Sequence, residues 1–215
     1  MRVTAAVMEE KCGAFNIDTV ELDTPQAEEV LIKIVATGIC HTDLHARDGY
    51  FPMPYPGVYG HEGAGVIAAV GSEVEHLAPG DHVVISFPWC GECEHCHEGR
   101  RAYCRRGSEL KSRGTRADGS TTLLTRGTCV LVGSARRGTE VSFEMSTLQA
   151  GRTVRGAIQG DSRPDQFIPH LVDLFVDGRF PIDRLVTFYD FAEINRAAAD
   201  AVAGTTIKPV LRMPQ

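Results

Sequence analysis

The chain has 215 residues and carries 22 Lys and Arg against 28 Asp and Glu, a formal charge of −6. With 43% hydrophobic and 23% charged residues it can bury a real core, which excludes a wholly disordered chain. No apolar run approaches the roughly 18 residues of a membrane span, the start lacks a secretory pattern, and mild acidity argues against coating a nucleic acid, so a cytoplasmic protein without membrane or nucleic-acid partners is expected.

Along the chain, the first 88 residues read as short strands separated by turns: Val3–Met8, Ile17–Leu22, Val30–Ala36, Gly65–Val70 and His82–Phe87. Between the third and fourth lie Cys40-His41-Thr42-Asp43-Leu44-His45 and, about twenty residues on, Gly60-His61-Glu62-Gly63. Thiolate, imidazole and carboxylate are all zinc ligand types, and an incompletely closed site of this kind retains a position for water or an alcohol. Asp43 could orient His61 through its second ring nitrogen. A lone histidine beside a glycine turn is usually structural; the joint pattern is what favours a site.

Residues 88 to 126 change character, with cysteines, arginines, glycines and serines and almost no hydrophobic periodicity, as expected of a lobe or loop ordered by something other than a core. Four of the seven cysteines, Cys90, Cys93, Cys96 and Cys104, fall within fifteen residues. Four thiolates can close a tetrahedral shell on zinc and leave no place for substrate, a structural role. Free core cysteines fit poorly beside Glu92, Glu94, His95, His97 and Glu98, and the bacterial ferredoxin run has a shorter last gap followed by proline, where Arg105 stands here. The arginines from Arg100 to Arg116 lack an accompanying recognition helix and read as a solvated basic loop.

After Gly127, Thr128–Val132, Val141–Phe143 and Thr153–Ile158 are strand-like. Ile168, Leu171, Val172 and Phe175 then repeat at helical spacing between Pro164 and Gly178. In a second helix, Asp190 and Glu193 can form a capping box, Ile194, Ala197, Ala198 and Ala201 an inward stripe, and Gly204 the stop. Ile207–Met213 is a closing strand.

The motifs GICHTD, GHEGAGVI, PGDHVVI and CGECEHCHEGRRAYC, in this order and spacing, together with the closing segment from Ile168 to Met213, resemble the zinc-containing medium-chain alcohol dehydrogenases, particularly the aryl alcohol branch. The resemblance implies an α+β chain: a GroES-like β-barrel catalytic domain over residues 1–125 with a structural-zinc lobe at about 88–116, a remnant of Rossmann strands at 126–160, and a C-terminal α/β segment, 161–215, completing the catalytic domain. It further implies two zinc ions. Cys40, His61 and Glu62 would hold the catalytic one, with Glu62 a near or interchanging ligand, and Cys90, Cys93, Cys96 and Cys104 the structural one. His41 would contact a cofactor phosphate, and Thr42 and His45 would relay a proton.

The sequence also departs from that family, whose members are longer and bind NAD(P) through GxGxxG. That motif is absent; Gly133-Ser134-Ala135-Arg136-Arg137-Gly138 lacks the middle glycine, so NAD binding is expected to be weak or lost. The segment supplying the family's third zinc-ligating cysteine is missing too. Cys129 reads as a core residue and Cys12 as a surface thiol, leaving Glu62 or water to fill the vacancy. Three functions stay open: an oxidoreductase acting on aryl or allylic primary alcohols and aldehydes, a zinc Lewis-acid protein catalysing hydration or ester hydrolysis, and a non-enzymatic zinc-bound interaction protein. Phe51, Tyr55, Phe87 and Trp89 could line an aromatic pocket, and the strand edges at 128–158 could be covered by a second copy.

Overall fold

The computed structural model describes residues 1–50, 54–86, 88–112 and 162–214. The expectations at 126–160, including Cys129 and the Gly133–Gly138 turn, lie outside the described residues, as do Phe51, Phe87, Arg113 and Arg116.

The chain is α+β. Strands β1 (Arg2–Met8) and β2 (Phe15–Glu21) form an antiparallel hairpin running from Arg2 opposite Glu21 to Met8 opposite Phe15, and β4 (Gly57–Val58) adds to the other edge of β1. The second sheet contains β3 (Val30–Gly38), β5 (Gly63–Val70), β6 (His82–Val84), β7 (Val186–Asp190) and β8 (Lys208–Arg212) in the order β6-β5-β3-β8-β7. All its pairs are antiparallel except β7 with β8. Strand β8 thus lies beside β3, and the end of the chain completes the sheet that carries the Cys40 segment. The β6 strand stops short of the expected Phe87, with one further ladder bond from Ile85 N–H to the Gly63 carbonyl (2.8 Å).

Four helices accompany the sheets among the described residues beyond a single turn at α2: α1 (His41–Arg47), α3 (Gly107–Ser112), α4 (Pro164–Val176) and α5 (Ile194–Ala203), with α2 (Glu94–His97) inside the cysteine lobe. Helix α5 keeps the expected stripe: Ile194, Ala197, Ala198 and Ala201 are all buried, against β8, β7 and α1. Alanines let the helix approach the sheet closely at no side-chain entropy cost. Glu193 accepts the Asp190 N–H (3.1 Å) as the capping box requires, and Gly204 ends α5 at φ 71°, a left-handed conformation that glycine adopts without strain. Asn195 on α5 is clamped to the Phe15 backbone by two 2.9 Å hydrogen bonds, tying the two ends of the chain together. The main core is built from Met8, Phe15, Ile39, Leu44, Tyr189, Phe191, Leu211 and the α5 stripe.

Helix α4 forms between its two end signals, but its apolar stripe is not buried: Val172 and Phe175 are exposed, and no residue of the helix is in the core. A cavity of about 1010 Å³ separates it from the outer face of β3, β5 and β6.

Candidate metal centres and active site

The cysteine lobe is built by local geometry. Gly91 and Gly99 take φ of 77° and 76°, which lets the chain wrap a small centre. The Sγ of Cys96 lies 3.9 Å from that of Cys90 and 3.5 Å from that of Cys93, and one sulfur from each of the four cysteines falls within 4.8 Å of every other. Sulfurs about 2.3 Å from a tetrahedral zinc stand about 3.8 Å apart, so the arrangement fits that ion. Backbone N–H groups of Arg105 and Cys96 aimed at Cys93 pull its thiol down to about 6, and those of Glu92 and Cys93 lower Cys90. Lost hydration, then the neighbouring Cys93, raises Cys96 to about 11. The Cys90 N–H donates to Cys104 Sγ (3.3 Å). Donors converging on sulfur favour the thiolates that a metal binds.

Three of the lobe's arginines are spent within it. Arg100 pairs with Glu98, Arg105 with Glu94 (2.7 Å) and Arg106 with Glu109 (3.3 Å), all exposed, which agrees with a solvated loop.

The second cluster draws on three separated segments. Cys40 ends the loop after β3 and caps α1, and His61 and Glu62 lie at the entry to β5. Buried Asp43, on the first turn of α1, links them: Oδ2 accepts the Cys40 N–H (2.9 Å) and Oδ1 faces His61 Nδ1 (3.0 Å). This fixes the imidazole so that Nε2 is turned toward the other donors, the outer-shell arrangement of metal-bound histidines. His61 Nε2 is 3.8 Å from Glu62 Oε1, and one ligand atom from each of Cys40, His61 and Glu62 lies within 4.8 Å of the others. Nitrogen and oxygen ligands about 2.0–2.1 Å from a tetrahedral zinc are about 3.4 Å apart, so the three donors fit a common ion with slight closure.

Electrostatics agree with that fit. Burial alone would depress the His61 pKa, but the hydrogen bonds to Asp43 and Cys40 and their charges overcome it and hold the ring up at about 10. The same bond to His61 leads the effects that lower the Cys40 thiol against its burial, with the Thr42 backbone and side chain helping. These contacts draw the Cys40 thiol toward its thiolate and keep a proton on the His61 ring, and a divalent ion bound there would displace the shared proton.

Thr42 is buried beside the Cys40 sulfur, His45 lies one turn further along α1 with its ring edge-on to Tyr50 (5.0 Å between centroids), and His41 is exposed at the first position of the helix. A cavity of about 660 Å³ reaches His61 and Asp43 and is lined mainly by apolar groups, among them Phe15, Ile39, Val58, Trp89 and Leu211. Tyr55 is not part of that lining; its hydroxyl donates to the carbonyls of Ala46 (2.6 Å) and Arg47 (3.2 Å), securing the end of α1. One residue of the site left no sequence signal. Lys208, at the start of β8, forms an ion pair with Glu62 Oε2, and Gly38, the first residue of GICHTD, leaves room for that pair, since a Cβ there would overlap the carboxylate. A lysine opening an alternating strand is ordinary, and its partner is set only by the β3–β8 pairing.

Comparison with known proteins agrees with the geometry. Residues 26–135, half of the chain, match the family described as alcohol dehydrogenase GroES-like domain. Geraniol dehydrogenase of Castellaniella defragrans is 49% identical over 100 residues, 46% of this chain and 26% of that protein. Putative alcohol dehydrogenase D of Mycobacterium tuberculosis is 44% identical over 145 residues, 65% and 39% of the two chains. The chain therefore spans well under half the length of these relatives. The crystal structure of benzyl alcohol dehydrogenase from Acinetobacter calcoaceticus superposes across both chains with a TM-score of 0.93 at 25% identity. With the four-sulfur lobe, the Cys40–His61–Glu62 cluster and the strand order all in place, the chain belongs to the alcohol dehydrogenase GroES-like domain family.

Proposed function

We propose that the chain is the catalytic part of a zinc-dependent alcohol oxidoreductase interconverting aryl or allylic primary alcohols and aldehydes. The observation that carries this reading is the convergence of Cys40, His61 and Glu62, with Asp43 holding the histidine from behind. Zinc bound there would supply Lewis acidity, lowering the pKa of an alcohol oxygen and polarising an aldehyde carbonyl.

The chain's own residues do the rest. Asp43 keeps the His61 tautomer and orientation fixed. Thr42 Oγ1, beside the metal ligands, takes the alcohol proton while passing its own toward His45, which stands three residues on along the same face of α1 and nearer solvent. The apolar cavity beside His61 has the size of a small-ligand site and excludes water from an uncharged guest. The names of the geraniol and benzyl alcohol relatives favour allylic and aryl guests. The four-cysteine lobe takes a second zinc as a structural staple.

Residues 1–125 and 161–215 form the catalytic domain in this reading, with 126–160 the remainder of a cofactor sheet. His41 is the one residue assigned to a cofactor phosphate; without GxGxxG a single contact does not repay the entropy of fixing a dinucleotide, so NAD-coupled turnover is weak. A cytoplasmic location is part of the proposal; no helix among the described residues is long and apolar enough to cross a membrane.

The test is zinc content together with oxidation of benzyl alcohol and geraniol, using NAD or a small nicotinamide mimic at high concentration. Chelator-sensitive turnover that His61→Ala abolishes while the circular dichroism stays unchanged supports the reading. Turnover that survives His61→Ala, or chelator-sensitive ester hydrolysis with no alcohol oxidation, would replace it.

A further inference from the structure

Lys208 touches the candidate site from the far end of the chain. Its Nζ pairs with Glu62 Oε2 and lies 3.5 Å from the Ile39 carbonyl, one residue before Cys40. The backbone repeats the link: Gly38 N–H donates to the Glu62 carbonyl (3.3 Å) and Ile39 N–H to the Pro209 carbonyl (3.0 Å). Glycine is the only residue type that leaves space at position 38, because an added Cβ would also come within 3.0 Å of Lys208 Cε. The ion pair is thus built into the meeting of β3, β5 and β8.

The two oxygens of Glu62 consequently face different partners. Oε2 is taken by the ammonium, while Oε1 lies on the His61 Nε2 side. A free carboxylate can offer both oxygens to one cation. Resting on the reading that Cys40, His61 and Glu62 hold zinc, we infer that Lys208 is a positioning residue of that centre: it restricts Glu62 to a single ligand oxygen and so keeps a coordination position for the oxygen of a guest.

Two effects of the lysine oppose each other. Fixing Glu62 removes rotamer freedom in advance and favours metal binding, but the ammonium also repels a divalent ion a few ångström away and competes for the carboxylate. The site is partly shielded, with Glu62 and Lys208 side chains 28% and 34% exposed, so the repulsion outweighs the freedom of one side chain. Lys208 therefore weakens zinc binding in exchange for an open position. A lysine that merely supported the fold would have the reverse effect, since its loss would loosen the site.

Chelator competition on the full chain tests this, with Cys40→Ala/His61→Ala as the reference that retains only the lobe's zinc. Expected is zinc held about tenfold more tightly in Lys208→Met, with slower release, whereas Lys208→Arg stays near the parent. In a Glu62→Gln background, where there is no carboxylate to compete for, Lys208→Met should tighten binding by clearly less, leaving only the direct repulsion. Equal or weaker binding in Lys208→Met overturns the inference, as does tightening as large in the Glu62→Gln background as in the parent, which would mean that the lysine acts on the ion without the carboxylate. If the double alanine variant binds as much zinc as the parent, the metal site itself is wrong, an outcome distinct from an unresponsive Lys208.

Discussion

The two cysteine-bearing centres are assembled on opposite principles. The lobe takes all four sulfurs from one fifteen-residue stretch, and among residues 88–106 Cys104 is the only buried one. The Cys40 cluster takes three different donor types from segments that meet only because β3, β5 and β8 pair and α1 packs on α5. In the lobe the ion would create the fold; at Cys40 the fold creates the place for the ion. Four like donors close a shell, whereas three unlike donors braced by Asp43 and Lys208 leave one side open. In the proposed reading, that difference separates a staple from a reactive centre.

The sharpest way to break that contrast is Cys93→Ser. A lobe without a core depends on its metal, and structural zinc in small domains contributes on the order of 10 kcal/mol of apparent binding free energy. The variant should lose one zinc per chain, and limited proteolysis should cut between residues 88 and 112 while the sheet signal in circular dichroism persists. Protection of that stretch equal to the parent's would show that something other than metal orders it.

Removing the support behind the other centre should act more gently. In Asp43→Asn the amide nitrogen must face either Cys40 N–H or His61 Nδ1, and both positions now hold carboxylate oxygens. Zinc affinity at this centre should fall about 10- to 100-fold, the usual effect of outer-shell partners. Loss of an acidic group in the first turn of α1 should cost about 1 kcal/mol of stability, read as a lower midpoint in denaturant. Zinc affinity within twofold of the parent would mean that His61 needs no orienting group and that the rigidity ascribed to this site is misplaced.

The same contrast explains what could be read in the sequence. Local devices were legible: the cysteine spacing, the Asp190 and Glu193 cap, the alanine stripe of α5 and the glycine that ends it all act within a few residues. The Cys40, His61 and Glu62 grouping was also legible, from the joint pattern of ligand types and the motifs around them, since nothing local brings Cys40 to His61. Devices that depend on chain pairing were not. Lys208 meets Glu62 through the β3–β8 register, and the Tyr55 hydroxyl reaches two carbonyls at the end of α1 while Tyr55 is not among the residues lining the cavity beside His61. Helix α4 failed in another way: its stripe predicts a partner, and the sheet face opposite lies across a cavity.

The smallest effect comes from the charges that most strongly coloured the lobe in the sequence. Arg105 and Glu94 form a 2.7 Å pair whose side chains are 67% and 58% exposed. An exposed pair gains little Coulomb energy in water, pays for ordering two long side chains and is screened by salt. Its charge lies outside the sulfur cluster, and the Arg105 group that acts on Cys93 is the backbone N–H, which any residue but proline retains. Arg105→Ala should therefore leave zinc content and melting temperature unchanged within measurement scatter, while Arg105→Pro, which deletes that donor, should weaken zinc binding in a chelator competition. If alanine weakened it as much as proline, the cation rather than the amide would be holding the thiolate, and the lobe would rely on side-chain charge after all.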